Sequence, residues 1–256
     1  MTGEFEGPRT AIVTGGARRI GAEICRSLAQ RGWHVLIHCR NSRTEAEALA
    51  GEIGNARVAT AELADPDAAE RIFAALDGLP PPRLLVNNAS RFVEDGVDDF
   101  TVESWEAHQA ANLRAPALLS QMFARHAGEG GGLIVNLLDA KLSQPNADFF
   151  SYTISKIALA GLTELTARAY GRRRIRVCGI APSVTLLSGQ QSPENFAAVH
   201  PLNLLGRGVR VEDIIRALWL IIETPTLTGQ TITLDAGQRF LALGRDVQFL
   251  EQADDV

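Results

Sequence analysis

Tyr152 and Lys156 stand four residues apart in the run Tyr152-Thr153-Ile154-Ser155-Lys156, so on a helix a phenol and an ammonium share one face. An ammonium beside a phenol favours the phenolate and lowers the phenol's pKa from about 10. That suits Tyr152 to donate or accept a proton near neutral pH. The pattern alone is short and arises often by chance. Asp139 lies thirteen residues before the tyrosine. An ionised carboxylate is a poor partner for a ketone oxygen that gains negative charge. It is a good partner for a ring bearing N–H donors, or for relaying a proton to a ring nitrogen. Beside Tyr152 it should also raise the phenol's pKa by like-charge repulsion, so that the pair holds a shared proton to higher pH. The bland alternative is a loop aspartate in an impaired site.

A second group of residues is built to hold a phosphate. Thr14-Gly15-Gly16-Ala17-Arg18-Arg19-Ile20-Gly21 follows an apolar run and opens a helix-period segment. Its glycines permit a tight turn and close approach of a pyrophosphate, and a helix N-terminus supplies free N–H groups and a positive dipole. The next strand ends in His38-Cys39-Arg40-Asn41-Ser42. A carboxylate there would bind a ribose 2′-hydroxyl and repel a 2′-phosphate, and none is present. Arg40 can fork onto a phosphate and Ser42 can donate a hydroxyl, so NADP is favoured over NAD. The alternative leaves Arg40 as a solvated residue at a helix start, and a lone His38 is more often packed than ligating.

These groups need a scaffold, and the apolar runs describe one. Short strands at Ala11–Val13, Val35–Ile37, Ala56–Thr60, Leu84–Val86, Leu133–Leu138, Ile175–Ile180 and Thr231–Leu234 alternate with helix-period segments. The helices are expected at Ile20–Arg31, Thr44–Ile53, Pro66–Leu76 (Asp65 as N-cap and Pro66 at the first helical position), Trp105–Arg125, Tyr152–Gly171 and Glu212–Ile222. Fully apolar strands are buried on both faces. The alternation predicts an α/β Rossmann fold: a doubly wound, seven-stranded parallel sheet with helices on both faces, one domain over residues 1–256. An irregular stretch over about 183–208 holds Pro193 and Pro201 and reads as a substrate loop rather than a plain insertion.

Composition narrows the classes. A 256-residue chain can bury one large core. Its net charge of −5 disfavours a nucleic-acid partner. Three cysteines without CxxC spacing argue against a disulfide framework or a zinc site, and no metal is expected. The segment Met1–Arg9 lacks the basic and apolar regions of a signal peptide, and no apolar run approaches the roughly 20 residues needed to span a bilayer. A cytoplasmic protein with no membrane partner is the expectation.

Asn87-Asn88-Ala89 ends the fourth strand and Asn112 falls within the following helix. With the TGxxxxxG loop, this NNA run, the helix asparagine and YxxxK in this order, the chain resembles the short-chain dehydrogenase/reductase family over nearly its whole length. The resemblance implies that Tyr152 is the proton donor, that Lys156 binds the nicotinamide ribose, and that Asn112 supports a proton relay. It also puts Ala181-Pro182-Ser183 at the turn near the nicotinamide, with Ser183 in the place of a glycine. Most members carry a serine where this chain has Asp139.

The pteridine reductases of that family share the Asp…Tyr-x-x-x-Lys arrangement, an arginine in the phosphate loop, an His-x-Arg-x-Ser-like segment, and NNAS followed by an aromatic. The matching residues are Arg19, His38 to Ser42, Asn88-Ala89-Ser90-Arg91-Phe92, and Gln144-Pro145. The dihydromonapterin reductases are similar also at Leu234 to Arg239. The resemblance implies NADPH contacts at Gly15, Arg18, Arg19, Ile20, His38, Arg40, Asn41, Ser42, Asn88, Ala89, Ser90, Tyr152, Lys156, Pro182 and Ser183. It implies a pterin or folate substrate held by Arg19, Ser90, Phe92, Asp139 and Tyr152, with Phe92 stacked on the ring, and a homotetramer. The adenine contact after strand three stays open between Glu62 and Asp65. Two other readings remain: a carbonyl reductase of ketones or 3-oxoacyl thioesters, and a non-enzymatic NADPH sensor or scaffold.

Overall fold

Each inner strand is built around a stretch of Val, Ile, Leu or Ala with both faces covered. β1 (Thr10–Val13), β2 (His34–Cys39), β4 (Pro82–Asn87), β5 (Gly132–Leu137) and β6 (Ile175–Pro182) are buried almost throughout; β3 (Ala56–Thr60) and β7 (Thr231–Leu234) are more open. The computed structural model describes residues 5, 7–189 and 191–250. The expectations placed at the chain ends, on residues 1–4 and 251–256, lie outside those residues. The sheet order is β3-β2-β1-β4-β5-β6-β7, and all the pairings are parallel. The expected single-domain Rossmann fold is the one observed.

Helices cover both faces. α1 (Arg19–Gln30), α2 (Arg43–Ile53) and α8 (Val211–Glu223) enclose one core with Val13, Ile37, Val86 and Val135. On the other face α3 (Ala68–Ala74) and α5 (Ala115–His126) enclose Ile12, Leu36, Leu85 and Ile134. Ile12, Leu36 and Leu85 have no exposed surface; truncating one to alanine would cost about 2–5 kcal/mol. The chain begins in the middle of the sheet, winds outward through β2 and β3, then returns to lay β4 beside β1. Strand order therefore reverses between β1 and β4, and a crevice opens there at the carboxyl ends.

Three expected elements differ. α3 starts at Ala68 after Asp67, not at Pro66; the Asp65 carbonyl accepts Ala68 N–H and its carboxylate pairs with Arg71, so Asp65 closes a turn instead of capping. The segment expected as one helix over Trp105–Arg125 begins as α4 (Val102–Gln109), capped by Thr101 Oγ1 accepting from Ser104 N–H at 3.1 Å. It then passes through a π-helical turn, Ala110–Arg114, before α5. The irregular stretch 183–208 contains a short helix, α7 (Pro193–Val199), started by Ser192 and Pro193. The site helix α6 spans Phe150–Tyr170.

Candidate active site

At the crevice, Gly15 adopts φ +61°, and a Cβ on Gly21 would lie 2.2 Å from the Gly15 carbonyl oxygen. Only glycines let the loop fold back this tightly onto α1. Arg19 also takes a left-handed φ of 54° as the chain enters α1, and Arg18 at the N-cap makes no side-chain capping bond. The first-turn N–H groups therefore keep their donor capacity for an anion. The loop is braced by its neighbours. Thr14 Oγ1 accepts from Asn88 and Ala89 N–H at 3.0 Å each, while Asn88 Nδ2 donates to the Thr14 and Gly15 carbonyls.

His38 braces the loop from below. Its Nδ1 accepts Gly15 N–H at 3.2 Å and its Nε2 meets the Ala61 carbonyl at 3.1 Å, so the tautomer consistent with both partners carries its proton on Nε2. Burial holds its pKa below the usual histidine value. His38 was expected among cofactor contacts; although it borders the cleft, both ring nitrogens are occupied by protein. Arg40, Asn41 and Ser42 rim the cleft beyond it. Arg40 Nη1 pairs with Glu62 at 3.2 Å. Glu62 and Leu63 border the cleft, whereas Asp65 is paired with Arg71 and does not border it.

The catalytic candidates meet at the other end. α6 carries Tyr152 and Lys156, both buried. Tyr152 donates its phenol proton to Asp139 Oδ2 at 2.6 Å, and Asp139 Oδ1 accepts Lys141 N–H at 2.8 Å. Burial, then the Asp139 charge, pushes the phenol well above its usual 10. Burial raises the Asp139 carboxyl as well. Lys156 Nζ donates to the Leu137 carbonyl at 2.7 Å and is pulled down by burial to about 8. Of the two opposing expectations for the phenol, the lowering by the ammonium fails and the rise caused by the carboxylate is the one observed: Lys156 faces a backbone carbonyl, and Asp139 takes the phenol.

Asn112 sits under the cleft and does not border it. Its Nδ2 donates to the Arg91 carbonyl and to Ser155 Oγ, both at 2.9 Å; its Oδ1 accepts Arg91 N–H at 2.7 Å and Ser90 Oγ–H at 3.3 Å. The side chain thus ties the Ser90–Arg91 loop to α6. A second buried chain, Asn87 Nδ2 to Asn136 Oδ1 and Asn136 Nδ2 to Thr163 Oγ1 (2.8 Å each), fixes α6 against β4 and β5. Polar residues inside apolar strands were its only signal in the sequence.

Phe92 meets the Tyr152 ring edge-on at 4.7 Å and stacks on Phe149 at 4.2 Å. One Phe92 face is therefore covered by protein. The cleft encloses about 940 Å³. All the residues expected at the site border it except Asn112. Arg19 Nη1 donates to the Leu187 carbonyl at 2.7 Å, reaching across to the irregular stretch. Sequence reasoning missed the C-terminal wall, Leu243 and Arg245 to Gln248; that segment has no periodicity or motif to mark it. No helix among the described residues is long and apolar enough to cross a membrane.

Known proteins similar to this chain share one family and differ in the substrates their names give. The family profile described as short chain dehydrogenase matches residues 9–195. L-xylulose reductase of Bos taurus is 30% identical over 242 residues, covering 91% of this chain and 97% of its own. The NADP complex of FolM alternative dihydrofolate reductase 1 from Brucella canis is 40% identical, with a TM-score of 0.87 over 90% of this chain and 94% of that one. The angucycline C-6 ketoreductase LanV with bound NADP is 26% identical, with a TM-score of 0.84 over 91% and 96%.

Proposed function

The chain belongs to the short chain dehydrogenase family, and we propose that within it this protein is an NADPH-dependent reductase of a pteridine-ring C=N bond, acting on a dihydropterin or dihydrofolate. The observation that carries the reading is the hydrogen bond from the buried Tyr152 to the half-buried Asp139. A hydroxyl at position 139 would donate to a carbonyl oxygen, whereas the Asp139 carboxyl is already an acceptor bound to the proton that Tyr152 must deliver. A pteridine presents ring nitrogens that need protons, and a ketone presents one oxygen that needs donors.

The residues fit the cofactor. The Gly15 turn and the α1 N-terminus can receive its pyrophosphate, and Arg40 and Ser42 rim the cleft where a 2′-phosphate would lie. Lys156 stands ready for the ribose. NADP in the Brucella canis and LanV structures supports this choice. When bound, the cofactor supplies a hydride to the ring carbon. Tyr152 delivers a proton to the adjacent nitrogen, and Asp139 holds the phenol in line. Phe92 borders the cleft and could stack on a flat ring held there.

The 40% identity to a dihydrofolate reductase supports the pterin reading; the likeness to L-xylulose reductase favours a carbonyl reductase instead. A panel of dihydropterins, dihydrofolate and simple ketones, assayed with NADPH, separates them. Rapid ketone reduction with no activity on any pterin or folate overturns the proposal.

A further inference from the structure

Residues 245–250 lie across the loop that presents Asp139 and hold it by charge. Asp246 Oδ2 pairs with Lys141 Nζ at 3.3 Å, and the two side chains are only 14% and 10% exposed. Lys141 Nζ also donates to the Asp148 carbonyl at 2.6 Å. Asp148 in turn accepts Arg245 Nε at 2.9 Å and Asp246 N–H at 2.6 Å. Lys141, Asp246 and Asp148 therefore close a ring. The far end of the segment reaches the other wall: Gln248 Nε2 donates to Ser188 Oγ at 3.4 Å, and Asn195 Nδ2 donates to the Leu250 carbonyl at 3.0 Å.

This ring meets the reacting groups at one residue. The backbone N–H of Lys141 is the donor to Asp139 Oδ1, so the residue whose ammonium is fixed by Asp246 also fixes the carboxyl that holds the Tyr152 proton. We infer that Asp246 is a positioning residue for the reaction, acting through Lys141 to fix and electrostatically poise the Asp139–Tyr152 pair. The inference rests on the reading of Tyr152 as proton donor. The titratable groups that bear on Asp139 are Tyr152 and Lys156 of α6 and Asp246 of the C-terminal segment; Lys141 of its own loop meets it through the backbone N–H and carries the ammonium that pairs with Asp246. The Asp246 charge raises both members of the pair. A paired Lys141 mutes that charge; an unpaired Lys141 would oppose it.

The two partners must then act in opposite senses. The Asp139 carboxyl is titrated by NMR in protein made with isotope-labelled aspartate, its signal identified by its loss in Asp139→Asn. In Asp246→Asn the midpoint is expected to fall by about half a pH unit or more. In Lys141→Met it is expected to rise by a similar amount, and in Asp246→Glu it stays near the original. With whichever substrate the panel selects, Asp246→Asn should lower kcat about fivefold and leave KM for NADPH within about twofold. A midpoint that does not move in Asp246→Asn, or that moves the same way in Asp246→Asn and Lys141→Met, overturns the inference. The titration needs no substrate, so its outcome is independent of whether a pterin or a ketone is reduced.

Discussion

Tyr152 donates its phenol hydrogen bond to Asp139 across 2.6 Å, the phenol buried and the carboxyl half-buried. In this pair the carboxyl is the acceptor, so the tyrosine is held in the protonated state from which it can act as an acid. Buried like-charged neighbours share protons rather than ionising together.

Removing the acid should stop turnover without emptying the cofactor site. Tyr152→Phe is expected to lower kcat roughly 10²–10⁴-fold, the range for a positioned general acid, while NADPH affinity changes little, because α1, Arg40 and Lys156 are untouched. Asp139→Ser should lower pterin reduction at least about tenfold, or roughly 1.4 kcal/mol of transition-state stabilisation, and expose weak ketone reduction. Steady-state kinetics with NADPH and fluorescence titration of NADPH check both. A Tyr152→Phe protein turning over at the original rate would remove the proton-donor role.

The same pair sets a pH dependence with a definite sign. Turnover should fall as pH rises and the pair loses its shared proton. Stability follows in the same sense. The folded Asp139 carboxyl titrates above its unfolded value of about 3.9. Between those two values the native state keeps a proton that the unfolded chain has released. The stabilisation from this group is therefore complete below about 3.9 and is lost as pH rises through the folded value. Asp139→Asn should remove that slope, measured by denaturant unfolding across the acid range.

Cofactor choice should turn on Arg40 and its partner. Arg40 and Glu62 are both well exposed and 3.2 Å apart, so the pair itself contributes little. A charge-assisted phosphate bond contributes about 1.5–3 kcal/mol. Arg40→Asp is expected to reverse much of the preference for NADPH. Glu62→Gln frees the guanidinium and removes a charge that opposes the 2′-phosphate; NADPH should bind about threefold tighter, the gain shrinking at high salt. Equal kcat/KM for NADPH and NADH in the unaltered protein would refute the assignment.

Legibility in the sequence followed locality. The parallel sheet was legible because Ala11–Val13, Leu84–Val86 and their counterparts are continuous apolar runs, and the phosphate loop because its glycines sit between a strand and a helix. The Asp139–Tyr152 pair was legible because the family resemblance placed a carboxylate where most members carry a serine. Partners farther apart in sequence were not: no local pattern announces that His38 braces Gly15, that Lys156 turns to the Leu137 carbonyl, or that Asp246 reaches Lys141 from 105 positions away. The π-helical turn at Asn112 was hidden for a related reason: the partners of the Asn112 side chain, Arg91 and Ser155, lie outside that helix.

Lys156 gives the last test, because its position is costly to the fold. Its ammonium is buried and its pKa is lowered from 10.5 to about 8. Below about 8 both folded and unfolded chains hold the proton, and the native state bears the full burden of a buried charge. Between about 8 and 10.5 the native state releases the proton first, so stability from this group rises with pH across that window. A shift of this size corresponds to about 3 kcal/mol, against about 1 kcal/mol for the bond to the Leu137 carbonyl. Lys156→Met should therefore melt about 5 °C higher near pH 7, with the advantage gone above about pH 10.5. The same variant should bind NADPH weakly and turn over poorly, since the ammonium would no longer meet the ribose. A Lys156→Met protein less stable than the original near pH 7 would mean that the buried ammonium is held by the fold rather than against it.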